Sequence, residues 1–90
     1  MSAVRVFIAD DHHALQEGVR AIIERQPGWK VCGTAVTGRE AVESARKLSP
    51  DIVVLDLVMP ELSGLEVLRR IKRFLPKPKF SFLPPILRRN

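Results

Sequence analysis

Three aspartates raise the question of chemistry. Asp10 and Asp11 close the apolar run VRVFIA at 4–9, and Asp56 stands near the end of another, DIVVLDL at 51–57, which Met59-Pro60 then breaks. If the two runs are neighbouring strands, their tips lie about 4.8 Å apart and the three carboxylates share one cavity. Two such charges at ~4 Å repel by about 4 kcal/mol at an effective dielectric of ~20, so the cluster calls for a proton or a cation. Oxygen-only ligation suits magnesium, with waters and a substrate phosphate completing the shell. One carboxylate would then remain to attack an incoming phosphoryl group and form an acyl phosphate. That carboxylate is Asp56, at the tip of a rigid apolar strand.

Plainer roles exist for each residue. Asp11 can cap a following helix, Asp10 can be an exposed strand end, and Asp56 can be a turn residue. Each is individually commoner than a catalytic role. An acidic pair after the first strand together with a third acid at the tip of the third is not, and a shared site is the reading adopted. His12 and His13 lack the Cys/His spacing of a metal centre and belong to the first turn of a helix beside the pocket. Trp29 reads as a partly exposed aromatic at a strand edge rather than a nucleic-acid stacking platform.

The elements that must position these residues alternate. VRVFIA is a short β-branched strand covered on both faces. HHALQEGVRAIIERQ (12–26) puts Leu15, Val19, Ile22 and Ile23 on one helical face, with Pro27-Gly28 as its stop. WKVCGTAV (29–36) is a second strand, with Gly33 marking a bulge or close approach. TGREAVESARKL (37–48) starts with Thr37 and Glu40 at capping-box spacing, carries Ala41, Val42, Ala45 and Leu48 on one stripe, and ends at Ser49-Pro50. After the third strand, Ser63 and Glu66 form a second capping box, and GLEVLRRIKRFL (64–75) turns Leu65, Leu68, Ile71 and Leu75 inward. The β-α-β-α-β-α order predicts a parallel sheet with helices on both faces and its chemistry outside the carboxyl ends of the strands.

Ninety residues make one small domain, with no apolar run near the ~20 residues of a membrane span. MSAVRVFIADD lacks the cationic start and apolar length of a signal peptide, and Cys32 has no partner for an internal disulfide. A cytoplasmic setting is expected. The net charge of +5 is split: residues 1–66 hold seven basic and ten acidic side chains, whereas 67–90 hold eight basic and no acidic ones. Pro76, Pro78, Pro84 and Pro85 all fall in that basic tail. Clustered Arg and Lys bind nucleic-acid phosphates, but the prolines interrupt them and no recognition helix is visible, so a solvated basic tail is the preferred reading.

VRVFIADDH and DIVVLDLVMPELSGLEVLRRIK, with the strand-helix alternation between them, resemble the receiver domain of bacterial two-component response regulators, in particular the NarL/FixJ group. The likeness runs from Val4 to Lys79. It implies a flavodoxin-like (CheY-like) fold, here about three β-α units with a fourth strand starting in FSFL (80–83). It implies that Asp56 accepts a phosphoryl group from a histidine kinase, and that Asp10, Asp11, Asp56 and the backbone carbonyl of Val58 hold Mg2+. Gly64 matches the glycine that starts the family's third helix. No further cofactor and no enzyme activity beyond self-phosphorylation and self-dephosphorylation are implied. In such a family DNA is reached only through an output domain, for which these 90 residues offer no segment.

The chain departs from the pattern after Lys79, dividing into a partial receiver domain at 1–79 and a basic, proline-containing tail at 80–90. Pro84 stands where the family has a Ser or Thr that contacts the phosphoryl group, and proline offers neither hydroxyl nor amide donor. Ser81 lies three residues early, and the family's lysine after strand five has no counterpart; Lys77 and Lys79 precede the fourth strand. Strand three is then expected to form an open edge. The alternative to a working receiver is a C-terminally truncated, signalling-incompetent remnant that self-associates as a homodimer or domain swap through that edge.

Overall fold

The computed structural model describes residues 3–75 and 79–82. Its elements are β1 (Val4–Ala9), α1 (His13–Glu24), β2 (Trp29–Ala35), α2 (Gly38–Leu48), β3 (Ile52–Leu55), α3 (Gly64–Lys72) and β4 (Lys79–Phe82). All pairings are parallel, in the order β2-β1-β3-β4. This is the CheY-like order. The chain moves one way from β1 to β2 and back past β1 to β3. Crossovers of one hand therefore place α1 on one face of the sheet and α2 on the other. Packing agrees: Ile23 of α1 joins Val6, Ile8 and Val31 in one cluster. Phe7, Ala9, Val53 and Leu55 meet Ala41 and Ala45 of α2 and Val67 and Ile71 of α3 in the other. Both faces of β1 are covered, which is why its sequence is apolar without alternation.

Strand three is not the edge. β4 lies beside it with Ile52 opposite Lys79 and Leu55 opposite Phe82, so the exposed side passes to β4 among the described residues. FSFL had the right strand, begun one residue earlier at Lys79. Ser81 pairs with Val54, two residues short of Asp56. Pro84, with the rest of the tail beyond Phe82, lies outside the described residues, as does Lys77.

Gly33 meets both expectations. The β1–β2 register slips between Val6 and Phe7, and a Cβ at Gly33 would stand 2.6 Å from Leu48 Cδ1 and 3.3 Å from Phe7. Both capping threonine/serine assignments hold: Thr37 accepts from Glu40 N–H at 3.1 Å and Ser63 from Glu66 N–H at 3.3 Å. The reciprocal arms differ. Glu40 reaches back to Val36 N–H, and Glu66 turns instead to Arg70, where a side-chain hydrogen bond holds its carboxyl below the usual range. Ser49 closes α2 in the left-handed region (φ 47°).

Two helical faces are rotated from the sequence reading. In α1, Ile22 is exposed and Gln16 is buried, while in α3 Leu65 is exposed and Val67 takes the inward position. Short helices over a twisted sheet bury one stripe only, and apolar residues beside it remain outside without penalty. Trp29 sits on the sheet's outer strand β2, partly exposed as expected. Cys32 is a free thiol, and partial burial pushes its pKa up.

Candidate functional site

The register of the sheet brings the acids together. Ala9 pairs with Ala35 on one side and Leu55 on the other, so the next residues, Asp10 and Asp56, leave the sheet at the same level. Asp56 N–H donates to Ala9 C=O at 2.9 Å and Asp10 N–H to Ala35 C=O at 3.0 Å, which extends the ladder by one rung and fixes both backbones. Donor atoms of Asp10, Asp11, His12 and Asp56 all lie within 4.8 Å of one another. The juxtaposition expected of residues 10, 11 and 56 is therefore present.

Burial differs among the acids. Asp10 and Asp56 are fully buried, whereas the Asp11 side chain is 30% exposed. Asp10 Oδ1 accepts the His12 backbone N–H at 2.9 Å, and its Oδ2 is buried with no hydrogen-bond partner among the described residues. Asp56 Oδ1 accepts from Val58 N–H at 3.1 Å. A buried carboxylate oxygen left without a donor beside two further acids carries a free-energy cost that a cation removes. All-oxygen donors from three carboxylates fit a hard divalent ion of the magnesium kind.

Asp11 does not cap α1. The N-cap is His12, with no side-chain cap bond, and Asp11 Oδ1 instead lies 2.9 Å from His12 Nδ1. That nitrogen is also 3.1 Å from Asp10 Oδ1, so the imidazole belongs to the acid cluster rather than standing beside it. Its sequence signal was only adjacency to the acids, which a helix-turn assignment overrode.

Gln16 carried no sequence signal, since glutamine on an amphipathic helix reads as surface. It is 2% exposed, and its Nε2 donates to Asp10 C=O at 2.7 Å and to Ala35 C=O at 2.8 Å. One amide thus ties the tips of β1 and β2 together beneath the cluster. Gly64 works from the other side: a Cβ there would collide with the Asp56 carbonyl oxygen, so only glycine lets α3 begin against the end of β3. Gly64 N–H also donates to Leu57 C=O at 2.9 Å.

A family described as the response regulator receiver domain matches residues 6–83. The chain belongs to this family. Among curated relatives, it is 39% identical over 79 residues to the protein-glutamate methylesterase/protein-glutamine glutaminase of Alkalilimnicola ehrlichii, covering 88% of this chain and 20% of that protein. It is 41% identical over 80 residues to the transcriptional regulatory protein LiaR of Bacillus subtilis, covering 89% and 38%. The chain therefore spans well under half the length of the curated relatives it matches. In structure, the receiver resembles the response regulator domain of Thermotoga maritima CheB (TM-score 0.84, 38% identity, 89% of this chain and 59% of that one). The NarL receiver of Mycobacterium tuberculosis is equally similar (TM-score 0.84, 28% identity, 97% and 73%). Relatives of different output share this receiver, and the NarL-like character expected from the motifs is present among its structural neighbours. No described helix is long and apolar enough to cross a membrane.

Proposed function

We propose that this receiver takes a phosphoryl group on Asp56 from a histidine kinase in a magnesium-dependent step, and that in a longer cytoplasmic parent protein the product controls transcription. The observation that carries the reading is the convergence of Asp10, Asp11 and Asp56 within 4.8 Å at the carboxyl end of the sheet. An Asp56 carboxylate oxygen forms the new bond to phosphorus as the bond from phosphorus to the kinase imidazole breaks, the imidazole leaving with the electron pair. Asp10 and Asp11 would hold magnesium, with the Asp56 carboxylate and the Val58 carbonyl completing the protein ligands. The ion, when bound, supplies charge that screens the phosphoryl oxygens during in-line transfer. The Val58 N–H bond to Asp56 Oδ1 and the ladder bond from Asp56 N–H hold the nucleophile still, so little orientation remains to be fixed at the moment of attack. Burial of Asp56 keeps bulk water from competing for the acyl phosphate.

Acetyl phosphate with magnesium is the direct test. Radiolabel is expected on the wild-type chain and absent from Asp56→Asn; equal labelling of the two removes the assignment.

A second reading, self-association, is favoured by one observation: β4 pairs on one side only among the described residues. Light scattering across a concentration series decides it, since growth of a dimer is expected and a monomer at every concentration ends it.

A further inference from the structure

Gln16 stands outside the residues assigned to the metal and the phosphoryl group, yet it is bonded to their backbone. It lies buried in the first turn of α1, and its Nε2 donates to Asp10 C=O at 2.7 Å and to Ala35 C=O at 2.8 Å. Two carbonyl oxygens at that range can face only the amino end of the amide, so its orientation is fixed and both of its protons are used. The Asp10 carbonyl belongs to the planar peptide that also carries the nitrogen and Cα of Asp11. Ala35 C=O accepts the Asp10 N–H as well, at 3.0 Å. The peptides on either side of Asp10 are therefore both held, one by the sheet ladder and the other by Gln16. Further along α1, Ile23 packs among Val6, Ile8 and Val31, which keeps the helix and its glutamine seated against the sheet.

We propose that Gln16 is a positioning residue for the magnesium-dependent step: it fixes the peptide between Asp10 and Asp11, and with it the direction from which both carboxylates approach the ion beside Asp56. The inference rests on the receiver reading above and adds a residue that is not itself among the ligands. Magnesium demands near-ideal octahedral geometry with bonds of about 2.0–2.1 Å, so a small rotation of that peptide is enough to spoil a ligand. Groups that hold a ligand in place without touching the ion typically set about 10–100-fold in metal affinity. Glutamine suits the task because its amide is neutral. It satisfies two carbonyls at the strand tips and leaves the negative charge of the acids to the cation.

Gln16→Met, which keeps the length of the side chain and loses both donors, tests this in the full chain. Circular dichroism first establishes that the variant is folded. Magnesium titrated calorimetrically is expected to bind the folded variant about tenfold or more weakly than wild type. In labelling by acetyl phosphate, the half-saturating magnesium concentration is expected to rise by the same factor, while the rate at saturating magnesium stays near that of wild type. A glutamine that only stabilises the fold leaves the magnesium affinity of folded protein unchanged, and that result overturns the assignment. Nitrogen-15 NMR of the wild type decides the matter if Gln16→Met does not fold. Slowly exchanging Gln16 side-chain amide protons that shift on magnesium addition are expected; a pair that exchanges freely or ignores magnesium overturns the proposal. Wild-type labelling together with unchanged magnesium affinity in the variant removes Gln16 and leaves the receiver reading intact. A wild type that neither binds magnesium nor takes label removes both.

Discussion

Backbone contacts fix the position of Asp56. Its N–H joins the sheet ladder through Ala9, and its carbonyl side abuts Gly64 so closely that no Cβ fits between them. Gly64→Ala must therefore displace either the end of β3 or the start of α3. The expected loss is about 1–3 kcal/mol, the range for overpacking a dense interior, and urea denaturation measures it. An unchanged midpoint would show that α3 can shift without consequence. Asp10 and Asp56 were legible as a pair because charge at the end of a strand is rare enough to notice. Gln16 and the inward ring of His12 were not, because nothing in a polar side chain on an amphipathic helix announces that it points at a strand tip. Both depend on the distance between α1 and the ends of β1 and β2, which a tertiary contact sets.

Among the elements, local rules were most reliable where the sequence carried a cap or a breaker. Thr37, Ser63 and Ser49-Pro50 mark helix ends that the structure keeps, because each satisfies a backbone group locally. Inward faces were less legible: the choice of Val67 over Leu65 follows from how α3 meets α2 and the sheet. In α3, Glu66 is split from its capping role and paired with Arg70 at 3.1 Å, with Arg69 at 3.5 Å adding charge. The Arg70 hydrogen bond keeps the folded-state pKa below the unfolded one. Its stabilisation is therefore complete above the unfolded pKa and lost as pH falls through the depressed folded value. Glu66→Gln should flatten the fall in thermal midpoint between about pH 6 and about pH 3. A slope identical to wild type would mean the pair contributes nothing, a common result for exposed ion pairs.

For the whole molecule, the cluster opposes the fold that builds it. Three acids gathered at one end, two of them fully buried, repel one another in the absence of a cation. Magnesium should raise the melting temperature by the mass-action amount, ~2.7 kcal/mol at a hundredfold excess over its Kd, and a chelator should reverse it. Asp56→Asn, which removes one of the charges, should melt higher than wild type without metal and gain less from it. Calorimetry that finds the two proteins equally stable and equally responsive would break the link between the acids and the ion. The order β2-β1-β3-β4 was legible from strand-helix alternation, since crossover handedness leaves few alternatives. The pairing of β4 was only half legible, because five residues between prolines carry little pattern of their own.

The segment that follows Asp56 is gripped at both ends. Gly64 rests on Asp56 and Leu57, and Gly38 at the start of α2 rests on Leu62, with its N–H donating to Pro60 C=O at 3.1 Å. Residues 57–62 thus form a short bridge whose abutments are two helix starts, neither with room for a methyl group. Val58, next to Leu57 in this bridge, stands 66% exposed, so a partner that touches it pulls on a segment fixed at both ends. Such a pull is expected to reach α2 and α3 together, as a tug on one taut cord moves both posts.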